Sequence, residues 1–336
     1  MTVRVNYVER KLSPSVSLER VFRQIARDLP RDRFTPYFQS VPNSGGILAL
    51  IGNLLFFRRR EADIYHITGD IHYIGLVLPR DRTVLTIHDL TFLRRRSRLR
   101  RYVLKKLFLD LPLRRVRYIT TVSQAIKDEI VDRAGVNASS VVVVRNPLIN
   151  GFSERTKKSF DRESPVVLQV GTTPNKNLAN LILAMRGLKC RLRVIGRIDA
   201  RTERELALNE IKYESAFDLD DSELIEEYQD ADIVAFCSTY EGFGLPIIEA
   251  QAMGKPVLTS NLAPMNEVAG DGALLVDPYS VESIRSGLTA LIEDEDLREK
   301  LIVAGRQNIE RFNSRSIADR YVQVYEELLQ DRGKRK

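Results

Sequence analysis

Thr239-Tyr240-Glu241-Gly242-Phe243-Gly244-Leu245-Pro246-Ile247-Ile248-Glu249-Ala250 decides how this chain is read. Ahead of it, the apolar run from Asp232 to Cys237 has the length and composition of a buried parallel strand. Behind it, Pro246 suits the first position of a helix, and Gly254 closes that helix about two turns later. The order is strand, glycine loop, helix. Such a loop aims free backbone N–H groups and the positive end of a helix dipole at its ligand, which favours phosphate. Glu241 and Glu249 would repel a phosphate, so they suit neutral hydroxyl donors. A ligand carrying both, a nucleotide or a nucleotide sugar, fits best. The reading puts Glu249 in the first helical turn, accepting from both hydroxyls of a ribose.

Working outward, the chain is an alternation of strands and helices. In the first half, strands are expected over 3–8, 33–40, 63–67, 82–87, 118–122 and 141–145, with helices over 17–29, 46–60 and 124–134. In the second half, strands over 166–170, 191–195, 211–216, 232–237 and 256–260 precede three closing helices over 281–291, 294–310 and 314–330. Two such sets predict an α/β protein of two Rossmann-like domains facing an interdomain cleft. The boundaries are an N-terminal domain over 1–147, a linker over 148–164 and a C-terminal domain over 165–312. A C-terminal helix and basic tail occupy 313–336. The loop from Arg10 to Val16 faces the C-terminal ends of the first strands, where ligands bind in open sheets.

At 336 residues the chain is long enough for two cores. Cys190 and Cys237 are far apart, lack metal-like spacing and read as reduced core residues of a cytosolic protein. The N-terminus reads as a strand rather than a signal peptide. The longest uncharged apolar run, Ile47 to Phe57, falls short of the ~20 residues of a membrane span.

Charge is uneven. Residues 1–150 hold 27 Lys and Arg against 13 Asp and Glu, whereas the whole chain holds 52 against 45. Eleven of the basic residues lie between Arg94 and Arg117, where Leu99, Tyr102, Val103, Leu107, Phe108 and Leu111 fall near helical spacing. An apolar stripe with a basic opposite face suits either a core-facing helix or contact with anionic lipid or an anionic acceptor. Nucleic acid is not expected, since no binding module is recognisable.

Two further sites carry candidate chemistry. Lys176 follows the strand 166–170 and Gly171, and opens a helix through Asn177, a place where a lysine neutralises a diphosphate leaving group. The loop is not a Walker A loop, because Asn177 replaces the Ser or Thr that would bind magnesium. His88, with Asp89, ends the strand 82–87; His66 and His72 are weaker candidates, His66 lying within a strand. These histidines without clustered carboxylates make a poor metal site.

Tyr240–Ala250 resembles the Glu-x7-Glu signature of family-4 glycosyltransferases with the GT-B fold. Thr86–Leu93 is similar to their His-Asp-Leu stretch, Thr121–Ile130 to their Thr-Val-Ser stretch, Val144–Pro147 to the Asn-Pro before the linker, and Val170–Asn177 to their Val-Gly-Thr-x-x-Pro-x-Lys-Asn loop. The five stand in the family's order over nearly the whole chain. The resemblance implies a retaining, metal-independent transferase that moves a hexose-type sugar from a UDP- or GDP-sugar to a hydroxyl of a glycan or lipid-linked acceptor, in polysaccharide biosynthesis. No cofactor is expected beyond the nucleotide sugar as substrate. A nucleotide-sugar epimerase or hydrolase, or a non-catalytic nucleotide-sugar-binding protein, is the alternative.

By motif match, Glu249 holds the ribose, and Glu241 with the backbone of Gly242, Phe243, Gly244 and Leu245 holds the donor sugar. Lys176, reached past Gly171, binds the diphosphate, and His88 lines the reaction centre from the N-terminal domain. His88, Glu241 and Lys176 are the catalytic candidates. Many relatives carry an arginine after the glycine matched by Gly171, where this chain has Thr172, so Arg197 after Gly196 becomes the candidate second cation. The first loop offers Ser13-Pro14-Ser15 in place of the family's Gly-Gly. The fold allows the C-terminal helices to cross back to the N-terminal domain. The expected location is cytoplasmic, peripherally at the inner face of the membrane.

Overall fold

The computed structural model describes residues 2–11, 17–94, 97–153 and 159–334. Ser13-Pro14-Ser15 and the end of the basic tail lie outside the described residues. The chain divides into two compact units, Met1–Pro147 with Asn313–Lys336, and Leu148–Phe312.

The first unit is built on a parallel sheet of β1 (Val3–Glu9), β2 (Phe34–Ser40), β3 (Ile64–Ile67), β4 (Thr83–Ile87), β5 (Tyr118–Thr121) and β6 (Val141–Val143). Their spatial order is β2-β1-β3-β4-β5-β6. β3 and β4 are buried at every position, as strands covered on both faces require. The Ser314–Gly333 helix belongs to this unit. It buries Ile317, Tyr321, Val324, Tyr325 and Leu328, and Tyr325 places its hydroxyl 2.7 Å from His66 Nδ1 and donates to the Tyr7 hydroxyl at 3.1 Å. Beyond that core, Asp331 accepts from the Tyr118 hydroxyl at 2.7 Å and pairs with Arg117 at 2.6 Å. Ser123 caps the Gln124–Ala134 helix, as its position suggests.

The second unit carries β7 (Val166–Val170), β8 (Arg191–Ile195), β9 (Tyr213–Ala216), β10 (Ile233–Phe236), β11 (Val257–Ser260) and β12 (Leu274–Val276), all parallel, in the order β12-β11-β10-β7-β8-β9. The segment expected as a linker begins within this unit: Leu148 N–H donates to Phe312 O at 2.9 Å, and Phe152 meets Tyr228 edge-on at 5.4 Å. Sequence periodicity passed over β12 and the Ala200–Leu208 helix. β12 has three residues and the helix buries only Leu206, so neither leaves a long apolar pattern. Cys237 lies in this unit's core, Cys190 is packed against it, and both thiols are free; burial pushes them up to about 12 and about 11.

The segment 94–117 is not one striped helix. An Arg98–Lys105 α-helix runs through a π turn, Lys106–Asp110, into a short Leu111–Arg115 helix with Pro112 in its first turn. The wider turn shifts the helical phase. Leu109 and Leu113 therefore face the core, while Leu99 and Tyr102 of the expected stripe are exposed.

Candidate active site

β7 and β10 are neighbours at the centre of the second sheet, yet the chain leaves them in opposite directions, to β8 and β9 on one side and to β11 and β12 on the other. The loops after β7 and β10 thus leave together from a topological switch point, the place where open parallel sheets bind ligands. Thr239 N–H donates to Asn175 O at 2.8 Å, and Asn175 Nδ2 donates to Tyr240 O at 2.9 Å. Asn177 takes a left-handed conformation, φ 61°, and donates its side-chain amide to Cys237 O and Pro278 O at 3.0 and 2.7 Å. These bonds hold a backbone shape that few residues other than glycine and asparagine adopt.

This seam brings two of the expected residues into contact. Lys176 closes a short 3-10 turn, Pro174–Lys176, and its Nζ lies 2.8 Å from Glu241 Oε1. Phe236 lies under the ammonium, 4.6 Å from it to the ring centroid, and Asn175 Nδ2 donates to the same carboxylate oxygen at 3.2 Å. Both charged side chains are largely buried, with 20 and 14% of their surface exposed. Gly171 makes the approach of Lys176 possible. It has φ +90°, and a Cβ there would stand 3.0 Å from Lys176 Cε.

The loop after Glu241 ends at Gly244, φ +114°, which precedes the Leu245–Ala252 helix. At this helix start Ile247 N–H donates back to Gly244 O at 3.0 Å, and Pro246 contributes no N–H. Phe243 turns its ring into the core, edge-on to Phe312 at 5.7 Å, so that its backbone rather than its side chain serves the loop.

Glu249 differs from its sequence reading. The helix opens at Leu245, which puts Glu249 in the second turn, not the first. Its side chain is buried, and Oε2 accepts from the Tyr228 hydroxyl at 2.6 Å. Burial and the Glu249 charge push the Tyr228 phenol well above its ordinary range, so it remains a donor. Arg197 is likewise elsewhere engaged. It pairs with Asp218 at 2.6 Å and lies over the Phe217 ring at 4.3 Å; among the described residues it does not reach Lys176 or Glu241. Thr172, which follows Gly171, abuts Gly196, where a Cβ would stand 2.8 Å from Thr172 Cγ2.

In the first unit the switch point falls between β1 and β3. His66 is a core histidine: Nδ1 meets Tyr325, Nε2 meets Thr86 Oγ1 at 2.7 Å, and burial pushes it down to about 3. His88 follows β4 and is buried; Nε2 lies 3.0 Å from Thr68 O. A carbonyl can only accept, so Nε2 carries the proton and Nδ1 is an acceptor. Among the described residues Nδ1 has no partner. His72, fully buried, is the mirror case: Nδ1 donates to Phe108 O at 2.7 Å, and Nε2 has no partner among the described residues. Burial pushes both imidazoles down, and Asp70 and Asp89 partly oppose this. Two neutral histidines thus offer one acceptor nitrogen each. Sequence reasoning set His72 aside, and nothing in its spacing marks it. Among the described residues no three His, Cys, Asp or Glu side chains converge in a way that could hold a metal ion.

Residues 152–308 match the family model "Glycosyl transferases group 1", and residues 7–148 match "Glycosyltransferase Family 4". The chain belongs to this glycosyltransferase family. The transferase is 26% identical over 308 residues to the O-antigen chain mannosyltransferase B of Escherichia coli, covering 82% of this chain and 79% of that protein. It is 28% identical over 230 residues to the MMP alpha-(1->4)-mannosyltransferase of Mycolicibacterium hassiacum, covering 64% of this chain and 55% of that protein. The Anabaena protein HepE, crystallised with UDP and glucose, superposes with a TM-score of 0.78 at 16% identity, over 97% of this chain and all of that one. The transferase therefore has the GT-B fold.

Proposed function

We propose that this transferase moves a hexose from a UDP- or GDP-linked donor to a hydroxyl of a glycan or lipid-linked acceptor, with retention and without a metal. The observation that carries the reading is the Lys176–Glu241 contact at the switch point of the second sheet, beside the Leu245–Ala252 helix start. Lys176 and the N–H groups of Phe243 to Leu245 take the diphosphate, Glu241 takes sugar hydroxyls, and Glu249, fixed by Tyr228, takes the ribose. The acceptor oxygen attacks the anomeric carbon as the bond to the β-phosphate breaks, and its proton passes to the leaving phosphate oxygen on the same face. Charge grows on that phosphate during the step, and fixed dipoles with Lys176 stabilise it as it grows. His88, held neutral, presents an acceptor nitrogen and is not itself an acid.

The acceptor side is the basic unit. Its excess of Lys and Arg suits an anionic, lipid-linked glycan and the anionic inner face of a membrane, with the enzyme otherwise cytoplasmic. The mannosyltransferase relatives make GDP-mannose the first donor to try, UDP-glucose the second. The test is nucleotide release from each donor, with and without lipid-linked glycan extracts. Release that depends on acceptor supports transfer. Equal release without acceptor makes the protein a hydrolase, and a donor-induced rise in melting temperature without release makes it a binding protein.

A further inference from the structure

The Gly46–Phe56 helix, Gly-Ile-Leu-Ala-Leu-Ile-Gly-Asn-Leu-Leu-Phe, carries no charge and turns its apolar side outward. Of its residues only Leu50 and Asn53 are buried. Asn53 accepts from Asn43 N–H at 2.9 Å and donates to Asn43 O at 3.0 Å and to the Tyr73 hydroxyl at 2.9 Å. The inner side is therefore fixed largely by a polar residue. Ile47, Leu48, Ile51, Leu55 and Phe56 are 63, 82, 46, 71 and 71% exposed. The first four fall within an arc of about 100° at the helical period, which makes them one stripe rather than scattered surface residues. A contiguous exposed apolar stripe of this kind marks an interaction surface.

Its surroundings say what covers it. Exposed Arg58, Arg59 and Arg60 follow the helix directly. The Asn53 partner, Tyr73, meets Phe108 edge-on at 5.3 Å, which ties this helix to the segment beginning with the Arg98–Lys105 helix. There Leu99 and Tyr102 are 73 and 60% exposed beside exposed Arg98, Arg100 and Arg101. Among the described residues none of these six arginines makes an ion pair with a carboxylate. A second copy of the chain docking on the same face would set the two arginine clusters against each other. An anionic lipid surface meets both features at once: headgroup phosphates for the arginines, the acyl boundary for the stripe.

We propose that the Gly46–Phe56 helix is an interfacial anchor that lies in the plane of an anionic membrane, with Ile47, Leu48, Ile51 and Leu55 turned into the bilayer. This rests on the basic-surface reading above and adds to it an apolar insertion that charge alone does not predict. It is independent of the donor site.

The test is flotation of the full chain with vesicles of phosphatidylcholine, alone or mixed with phosphatidylglycerol, at low and high salt. The wild type should float with the mixed vesicles, and a fraction should stay bound at high salt, since salt screens the arginines but not the stripe. Leu48→Gln with Ile51→Gln should weaken binding roughly tenfold or more and remove the salt-resistant fraction. Its melting temperature and its nucleotide release without vesicles should be unchanged. Binding that is fully salt-sensitive and unaltered in the double variant overturns the anchor and leaves the electrostatic reading standing. No flotation with the mixed vesicles at low salt overturns both, and equal flotation with phosphatidylcholine alone overturns the role of the arginines. Concentration-dependent dimerisation lost in the double variant would assign the stripe to a second copy instead.

Discussion

Lys176 Nζ lies 2.8 Å from Glu241 Oε1 and itself sits over the face of Phe236. Each satisfies the other's charge, so neither the cation proposed for a diphosphate nor the carboxylate proposed for sugar hydroxyls is left unpaired in a partly buried site. On the proposed roles, donor binding would exchange this one contact for two. Lys176→Ala and Glu241→Ala should each lower kcat/KM by about 10²–10³-fold, the scale of removing one preorganised electrostatic partner. Glu241→Gln keeps the Asn175 contact region but loses the charge, and should fall between Glu241→Ala and the wild type. Steady-state kinetics on folded variants decide this; wild-type turnover in either alanine variant removes the assignment.

Gly171 tests the same pair from behind. Alanine there takes a left-handed φ and puts a methyl 3.0 Å from Lys176 Cε. The backbone cost is about 1–2 kcal/mol, and Lys176 must shift. Gly171→Ala should lower stability by about that amount and reduce kcat, while Gly187→Ala, also at positive φ but with open space around its Cβ, should lower stability alone. Equal kinetics in the two variants would show that the Lys176 position does not matter.

Tyr228 and Glu249 make the ribose role accessible to measurement. Tyr228→Phe removes the 2.6 Å donor from Glu249, a hydrogen bond to a charged group worth about 1.5–3 kcal/mol. If Glu249 accepts from the ribose, Glu249→Gln should weaken nucleoside-diphosphate binding and bind the 2′-deoxy nucleotide about as well as the ribonucleotide, whereas the wild type prefers the ribonucleotide. Calorimetric titration with the two ligands reads this directly. A preserved preference in Glu249→Gln would mean that another residue holds the ribose.

These residues differ in how far sequence carries. Gly171, Lys176, Glu241 and Gly244 stand in two short motifs at strand ends, and one rule about parallel sheets suffices to bring the motifs together. Glu249 was visible as a residue but not in its turn, because the helix opens at Leu245 rather than at Pro246. Tyr228 was not visible at all: it lies 21 residues away on the Asp221–Asp230 helix, and no local pattern distinguishes it from a core tyrosine. Arg197 shows the reverse failure, a plausible cation by position that Asp218 claims. The Gly46–Phe56 helix shows a third kind. Its apolar run read only as a helix too short to span a membrane, and packing alone reveals that it buries Leu50 and Asn53 and faces its isoleucines outward.

The three histidines give the first unit a predictable response to acid. All are buried, and burial pushes each below the ordinary histidine value, His66 to about 3. A histidine whose folded-state value is depressed binds fewer protons folded than unfolded, so its contribution is present above about pH 6.5 and is lost as pH falls towards the folded value. Between pH 6.5 and 5.5 His66 alone should remove about 1 kcal/mol of stability, and His72 and His88 act in the same direction. Asp70 and Asp89 temper the effect at His72 and His88 but do not face His66 in the same way. Glu9, whose carboxyl is pushed up by burial, acts in the opposite sense as it takes up its proton. Urea unfolding followed at both pH values should therefore show a lower midpoint at pH 5.5. His66→Gln, which keeps a polar side chain between Thr86 and Tyr325, should be less stable at pH 6.5 yet show a smaller loss on acidification. An unchanged acid response in His66→Gln would mean that the acid sensitivity lies in other groups.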